Sequence, residues 1–144
     1  MLPADFKVEA DIWSCTSFNQ LKRDGDEVSR WNMLHPDKKP KMSHVEKCLL
    51  DTDGPVVAAT DYVKLFADQI RAYVPRSYSV LGTDGFGRSD TRQALRKHFE
   101  VDRYFIAVAA LNALVEDGRV SSKIIKATIK KYGIDPNKNN PLMS

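Results

Sequence analysis

Twelve consecutive residues, Tyr104-Phe105-Ile106-Ala107-Val108-Ala109-Ala110-Leu111-Asn112-Ala113-Leu114-Val115, are apolar except for Asn112. A helix that is apolar nearly all round has no face to offer water, so this segment predicts a central buried helix. Gly118, just past it, supplies a C′ stop. The run is far too short to span a bilayer, which takes about 20 residues. What remains is a globular domain whose other elements must cover this helix.

Those elements are marked along the chain. Phe6, Val8, Ala10 and Ile12 alternate with Lys7, Glu9 and Asp11, the period-2 pattern of a half-buried strand running on into Trp13. Ser17 predicts a capped short helix through Phe18 and Leu21, ended by a turn at Asp24-Gly25-Asp26. A second helix through Val28, Trp31 and Leu34 closes at His35-Pro36, because the residue before proline avoids the helical region. The polar, proline-bracketed stretch 36–41 is a surface loop. Ser43 with Glu46 three residues on makes a capping box for the next helix.

Val56-Val57-Ala58-Ala59 after Gly54-Pro55 resembles a fully buried strand. Thr60 predicts a helix cap, with Tyr62, Val63, Phe66, Ile70, Tyr73 and Val74 inward and Pro75 as the stop. Tyr78, Val80 and Leu81 form another strand. Asp90 would then cap a helix with Gln93 at its third position and Leu95 and Phe99 buried. Ser121 or Ser122 would cap the last helix, with Ile125, Ile129 and Tyr132 inward and Lys123, Lys126, Lys130 and Lys131 outward, to Gly133. Strand–helix alternation implies an α/β fold with a mostly parallel sheet. Residues 1–144 read as one domain, ending in a polar tail over 135–144.

Composition narrows the function classes. The formal net charge of +3 comes from 22 Lys and Arg against 19 Asp and Glu, with no block of five like charges, which speaks against a nucleic-acid partner. The first 30 residues contain Asp5, Lys7, Glu9, Asp11 and Lys22 and no apolar core segment, so they do not read as a secretory leader. No membrane partner is expected. Cys15 and Cys48 lie 33 positions apart with no nearby His at ligand spacing and read as buried, reduced thiols of a cytosolic protein.

One loop stands apart. Leu81-Gly82-Thr83-Asp84-Gly85-Phe86-Gly87-Arg88-Ser89-Asp90 places three glycines in six positions between a strand and a helix. Its G-x-x-G-x-G order reverses the dinucleotide fingerprint and lacks a following acidic partner, and no Gly-Lys-Ser/Thr makes a P-loop. Gly82, Asp84, Gly85, Phe86, Gly87, Arg88 and Ser89 are therefore candidate interface residues. A stand-alone module binding an anion or a partner through Gly82–Ser89 is the alternative. His35, His44 and His98 have no nucleophile or acid/base partner at local spacing, so no catalytic residue is assigned.

Several blocks together carry a family likeness: Arg30-Trp31-Asn32-Met33-Leu34-His35-Pro36, Ala59-Thr60-Asp61-Tyr62, Lys64-Leu65-Phe66-Ala67, Leu81 to Asp90, Leu95-Arg96 and His98-Phe99-Glu100-Val101-Asp102. In that order they resemble the C-terminal domain of the homodimeric bacterial pyruvate dehydrogenases, from about Val8 to Pro141. The resemblance implies a transketolase C-terminal-like fold, a mostly parallel sheet flanked by helices. It implies an enzyme that uses thiamine diphosphate and Mg²⁺ to decarboxylate pyruvate and reductively acetylate lipoyl groups. Cofactor and metal would be bound by other domains, with none on this chain. Its partners would be those domains, a second subunit and the lipoyl acetyltransferase component, in the cytoplasm. Such a domain would begin with a strand and helix ahead of Lys7–Trp13. The chain is thus expected to be an N-terminally shortened piece with a dimer-supporting role and no activity alone.

Overall fold

The computed structural model describes residues 1–143. In chain order it holds α1 (Leu2–Phe6), α2 (Phe18–Leu34), α3 (His44–Leu49), β1 (Val56–Ala59), α4 (Lys64–Asp68), a 3₁₀ turn Arg71–Tyr73, β2 (Tyr78–Leu81), α5 (Arg92–His98), α6 (Arg103–Glu116), α7 (Lys123–Tyr132) and a 3₁₀ turn Pro141–Met143. β1 and β2 are parallel neighbours, paired from Val56↔Tyr78 to Ala59↔Leu81. Val45, Leu49, Ile70, Val74 and Tyr78 form a buried cluster, flanked by Phe18, Leu21, Val56, Ala58, Tyr73 and Val80. α6, the apolar segment, packs on both strands and on α7, with Ala107, Leu111 and Ala113 buried and Asn112 turned outward.

Local signals hold where the chain itself supplies the partner. Ser43 Oγ accepts from Glu46 N (3.2 Å) and Glu46 Oε2 accepts from Ser43 N (2.6 Å), a complete capping box. Ser17 caps α2, which ends at His35 before Pro36. Gly133 ends α7 in the left-handed region.

Six expectations are corrected. Residues 7–17 form no strand: Lys7 turns left-handed to end α1, and Ile12 is 94% exposed, because no described segment lies alongside to complete a ladder. The two expected helices of 18–34 are one. Gly25 continues the helix, buried at a place where a methyl group would collide with the Tyr73 ring. The helix expected from Thr60 to Val74 shrinks to α4 and a 3₁₀ turn, so Tyr62, Val63 and Phe66 are exposed while Ile70 and Val74 stay in the core. β1 is half-buried rather than sealed. The cap of α5 is Thr91, whose Oγ1 accepts from Ala94 N, while Asp90 Oδ1 accepts from Thr91 N. Cys15 is exposed and Cys48 half-buried, so neither is the buried thiol expected.

Candidate functional site: the carboxyl ends of the strands

Because β1 and β2 run parallel and in register, the segments that leave Ala59 and Leu81 emerge side by side. In open parallel sheets this edge is where sites form. The ladder extends one step as Thr60 N donates to Leu81 O (3.0 Å), and then the two segments lock. Thr83 N donates to Tyr62 O (2.8 Å) and Thr83 Oγ1 to Asp61 O (3.1 Å). Lys64 N, in the first turn of α4, donates to Asp84 Oδ2 (2.9 Å), so a carboxylate twenty residues away caps a helix whose own N-cap, Val63, cannot.

Two of the glycines are explained by this lock. A Cβ on Gly82 would sit 2.7 Å from both Lys64 N and Tyr62 O, so only glycine lets these backbones approach. Gly85 has φ +117° and lies against the C-terminal segment, where a Cβ would fall 2.6 Å from Pro141 O. That segment is itself tied down, since Lys138 Nζ reaches His98 O (2.6 Å) and Glu100 Oε1 (3.0 Å). The tail over 135–143 is thus a strap on the glycine loop.

α5 closes the other side. Arg96 grips Asp61 with Nε (3.0 Å) and Nη2 (2.6 Å), and Arg92 Nη2 stands 3.5 Å from the same carboxylate. The Arg96 pair, with Arg92 behind it, holds the Asp61 carboxyl below the usual range. Asp61, Thr83 and Arg96 escaped the sequence reading because their partners are 22 to 35 residues away, with no local signal. Blocks distant in sequence, around 59–67, 81–90 and 95–96, therefore form one assembly.

The candidate interface residues divide in two. Gly82, Asp84 and Gly85 are committed to internal contacts. Phe86 (79% exposed), Gly87, Arg88 and Ser89 face outward. Beside them Tyr62 is 69% and Leu65 73% exposed, and the Tyr62 and Phe66 rings lie 5.5 Å apart. Exposed apolar side chains thus occur in both of the segments that leave the strands.

The histidines do not converge. His35 stacks on Trp31 with Nδ1 2.8 Å from Trp31 O. His44 Nε2 lies 3.4 Å from Cys48 Sγ, one helical turn on, so a histidine does stand beside Cys48, contrary to the expectation of none. His98 lies beside Phe99 at the end of α5. Among the described residues no three His, Cys, Asp or Glu side chains gather as cation ligands, and no helix is long and apolar enough to cross a membrane.

The family model of transketolase-like C-terminal domains matches residues 1–102, through both strands, the glycine loop and α5. The chain is 57% identical over 143 residues to the pyruvate dehydrogenase E1 component of Pseudomonas aeruginosa and 55% identical over 142 residues to that of Cupriavidus necator, 99% of the chain in each case. It is 48% identical over 145 residues to that of Escherichia coli. The chain spans about 16% of the length of these relatives.

Proposed function

The chain belongs to the family of transketolase-like C-terminal domains and is homologous to the C-terminal part of pyruvate dehydrogenase E1 components, and from that premise we propose that it serves as this part of such an enzyme. The observation that carries the reading is the collinear match over 99% of the chain at 57% identity. The parent reaction is pyruvate decarboxylation on thiamine diphosphate followed by reductive acetylation of a lipoyl group, in the cytoplasm. The partners are the remaining domains, a second subunit of a homodimer and the lipoyl acetyltransferase component. No nucleic acid or membrane enters this reading.

The described residues do not fit the cofactor. Among them no three His, Cys, Asp or Glu side chains gather to hold the magnesium ion of its diphosphate, and in this reading cofactor and metal are held by the other domains. No chemical step is therefore assigned to a residue of this chain. Its role is to buttress the rest of the enzyme, with Phe86 of the glycine loop, Tyr62 ahead of α4 and Leu65 and Phe66 of α4 as the contact surface.

Pyruvate-dependent dye reduction tests the division of labour. The 144-residue chain with thiamine diphosphate and Mg²⁺ should show none. Turnover by the chain alone would overturn the assignment of the chemistry to other domains.

A further inference from the structure

Once the internal contacts of the glycine loop are accounted for, a group of polar side chains at its end remains without partners. Arg88, Ser89, Asp90, Ala94, Leu95 and His98 line an open cleft of about 280 Å³. Arg88 is exposed and makes no hydrogen bond or ion pair among the described residues. His98 Nε2 is the one side-chain polar atom among them that is shut off from water and also lacks a hydrogen-bond partner. A buried ring nitrogen without a partner is a cost that a native fold seldom carries without reason.

We propose that this cleft is a binding site for a small oxyanion, held between the Arg88 guanidinium, the Ser89 hydroxyl and the His98 imidazole. Arg88 offers a planar fork of donors suited to a carboxylate or a tetrahedral oxyanion. No hydrogen bond or ion pair among the described residues pins its side chain, so it is free to close over a ligand in the cleft. The opposing charges are largely engaged: Asp90 Oδ1 accepts from Thr91 N at 2.6 Å, and Glu100 is held by Lys138 at 3.0 Å. Arg88 and Lys138 thus balance Asp90 and Glu100, and the proton taken up by His98 supplies the charge that favours an anion. Burial, and then the positive charges of Arg88 and Lys138, hold that imidazole below its ordinary value while the cleft is empty. Binding and protonation should therefore be coupled. The site stands apart from the buttress role, since it is read on the free chain rather than on assembly.

The test is NMR titration of the full chain with sodium sulfate, a tetrahedral anion that does not titrate near neutrality, and in parallel with sodium acetate. Chloride keeps the ionic strength constant. Amide signals of Arg88 and Ser89 should shift saturably in the millimolar range with at least one of the two anions. The one that saturates identifies the oxyanion as tetrahedral or as a carboxylate. Affinity should rise as pH falls, with the His98 ring titrating at higher pH when the anion is bound. Arg88→Gln, at an exposed position that the fold does not need, should weaken binding about tenfold. Linear shifts with both anions, equal affinity in Arg88→Gln, or an unmoved His98 titration would each overturn the proposal.

Discussion

Gly85 and Gly87 are two positions apart in one loop, and their surroundings differ completely. Gly85 has φ +117° and lies against Pro141 O, whereas no atom lies within 4 Å of a Cβ on Gly87. Gly85→Ala should cost about 1–3 kcal/mol through strain and collision. Gly87→Ala should stay within about 0.5 kcal/mol of the parent. Denaturant midpoints of the two variants check this, and equal losses would contradict it. Gly25 sets two effects against each other. Alanine is the better helix former by about 0.5–1 kcal/mol, but its methyl group would meet the Tyr73 ring, whose hydroxyl donates to Asp26 Oδ1 at 2.5 Å. Overpacking of this kind costs about 1–3 kcal/mol, so Gly25→Ala should lower the midpoint; a rise would mean that the ring moves freely. The sequence could not reveal this. Asp-Gly-Asp has the composition of a turn, and only Tyr73, 48 residues on, shows why the helix keeps its glycine.

At the scale of elements, capping separates what was legible from what was not. The Ser43–Glu46 box is a local pattern read directly from the chain, and Ser43→Ala should cost about 1 kcal/mol. α4 takes its cap from Asp84 across the sheet edge, a contact invisible in the sequence. Residues 7–13 show the converse failure. Their alternation is a genuine strand pattern, but a pattern specifies a face and not a partner, and among the described residues no ladder forms on it. Two ion pairs predict a common response to acid. Hydrogen bonding from Arg119 brings the Asp53 carboxyl down to about 2 from 3.8, and hydrogen bonding from Arg96 lowers that of Asp61. A carboxyl depressed in the folded state contributes stability above its unfolded value and loses it as pH falls through the folded value. Both contacts should therefore be intact above pH 3.8 and loosen progressively below it, the Asp53 pair as pH approaches about 2. Amide exchange of Gly54 and of residues 60–62, followed against pH, reports the two contacts separately. A loosening that began near neutrality would contradict the assignment.

At the scale of the whole molecule, the apolar helix, the parallel strand pair and the family were legible because each rests on patterns within contiguous blocks, although only Ala107, Leu111 and Ala113 of that helix are fully buried. The outward face was not. Tyr62 and Phe66 have helical spacing and read as core, yet α4 is too short to turn them inward. With Phe86 they leave exposed apolar side chains on both segments beyond the strands. The chain spans about 16% of the length of its relatives, and on the function proposed above such a surface would face the rest of the enzyme. The most direct measurement uses a full-length pyruvate dehydrogenase E1 component carrying these residues as its C-terminal part. Phe86→Asp in that enzyme is followed by sedimentation for assembly and by pyruvate-dependent dye reduction for turnover. Assembly should weaken while turnover per assembled enzyme stays unchanged; intact assembly with turnover abolished would place the glycine loop in the chemistry and contradict its role as a contact surface.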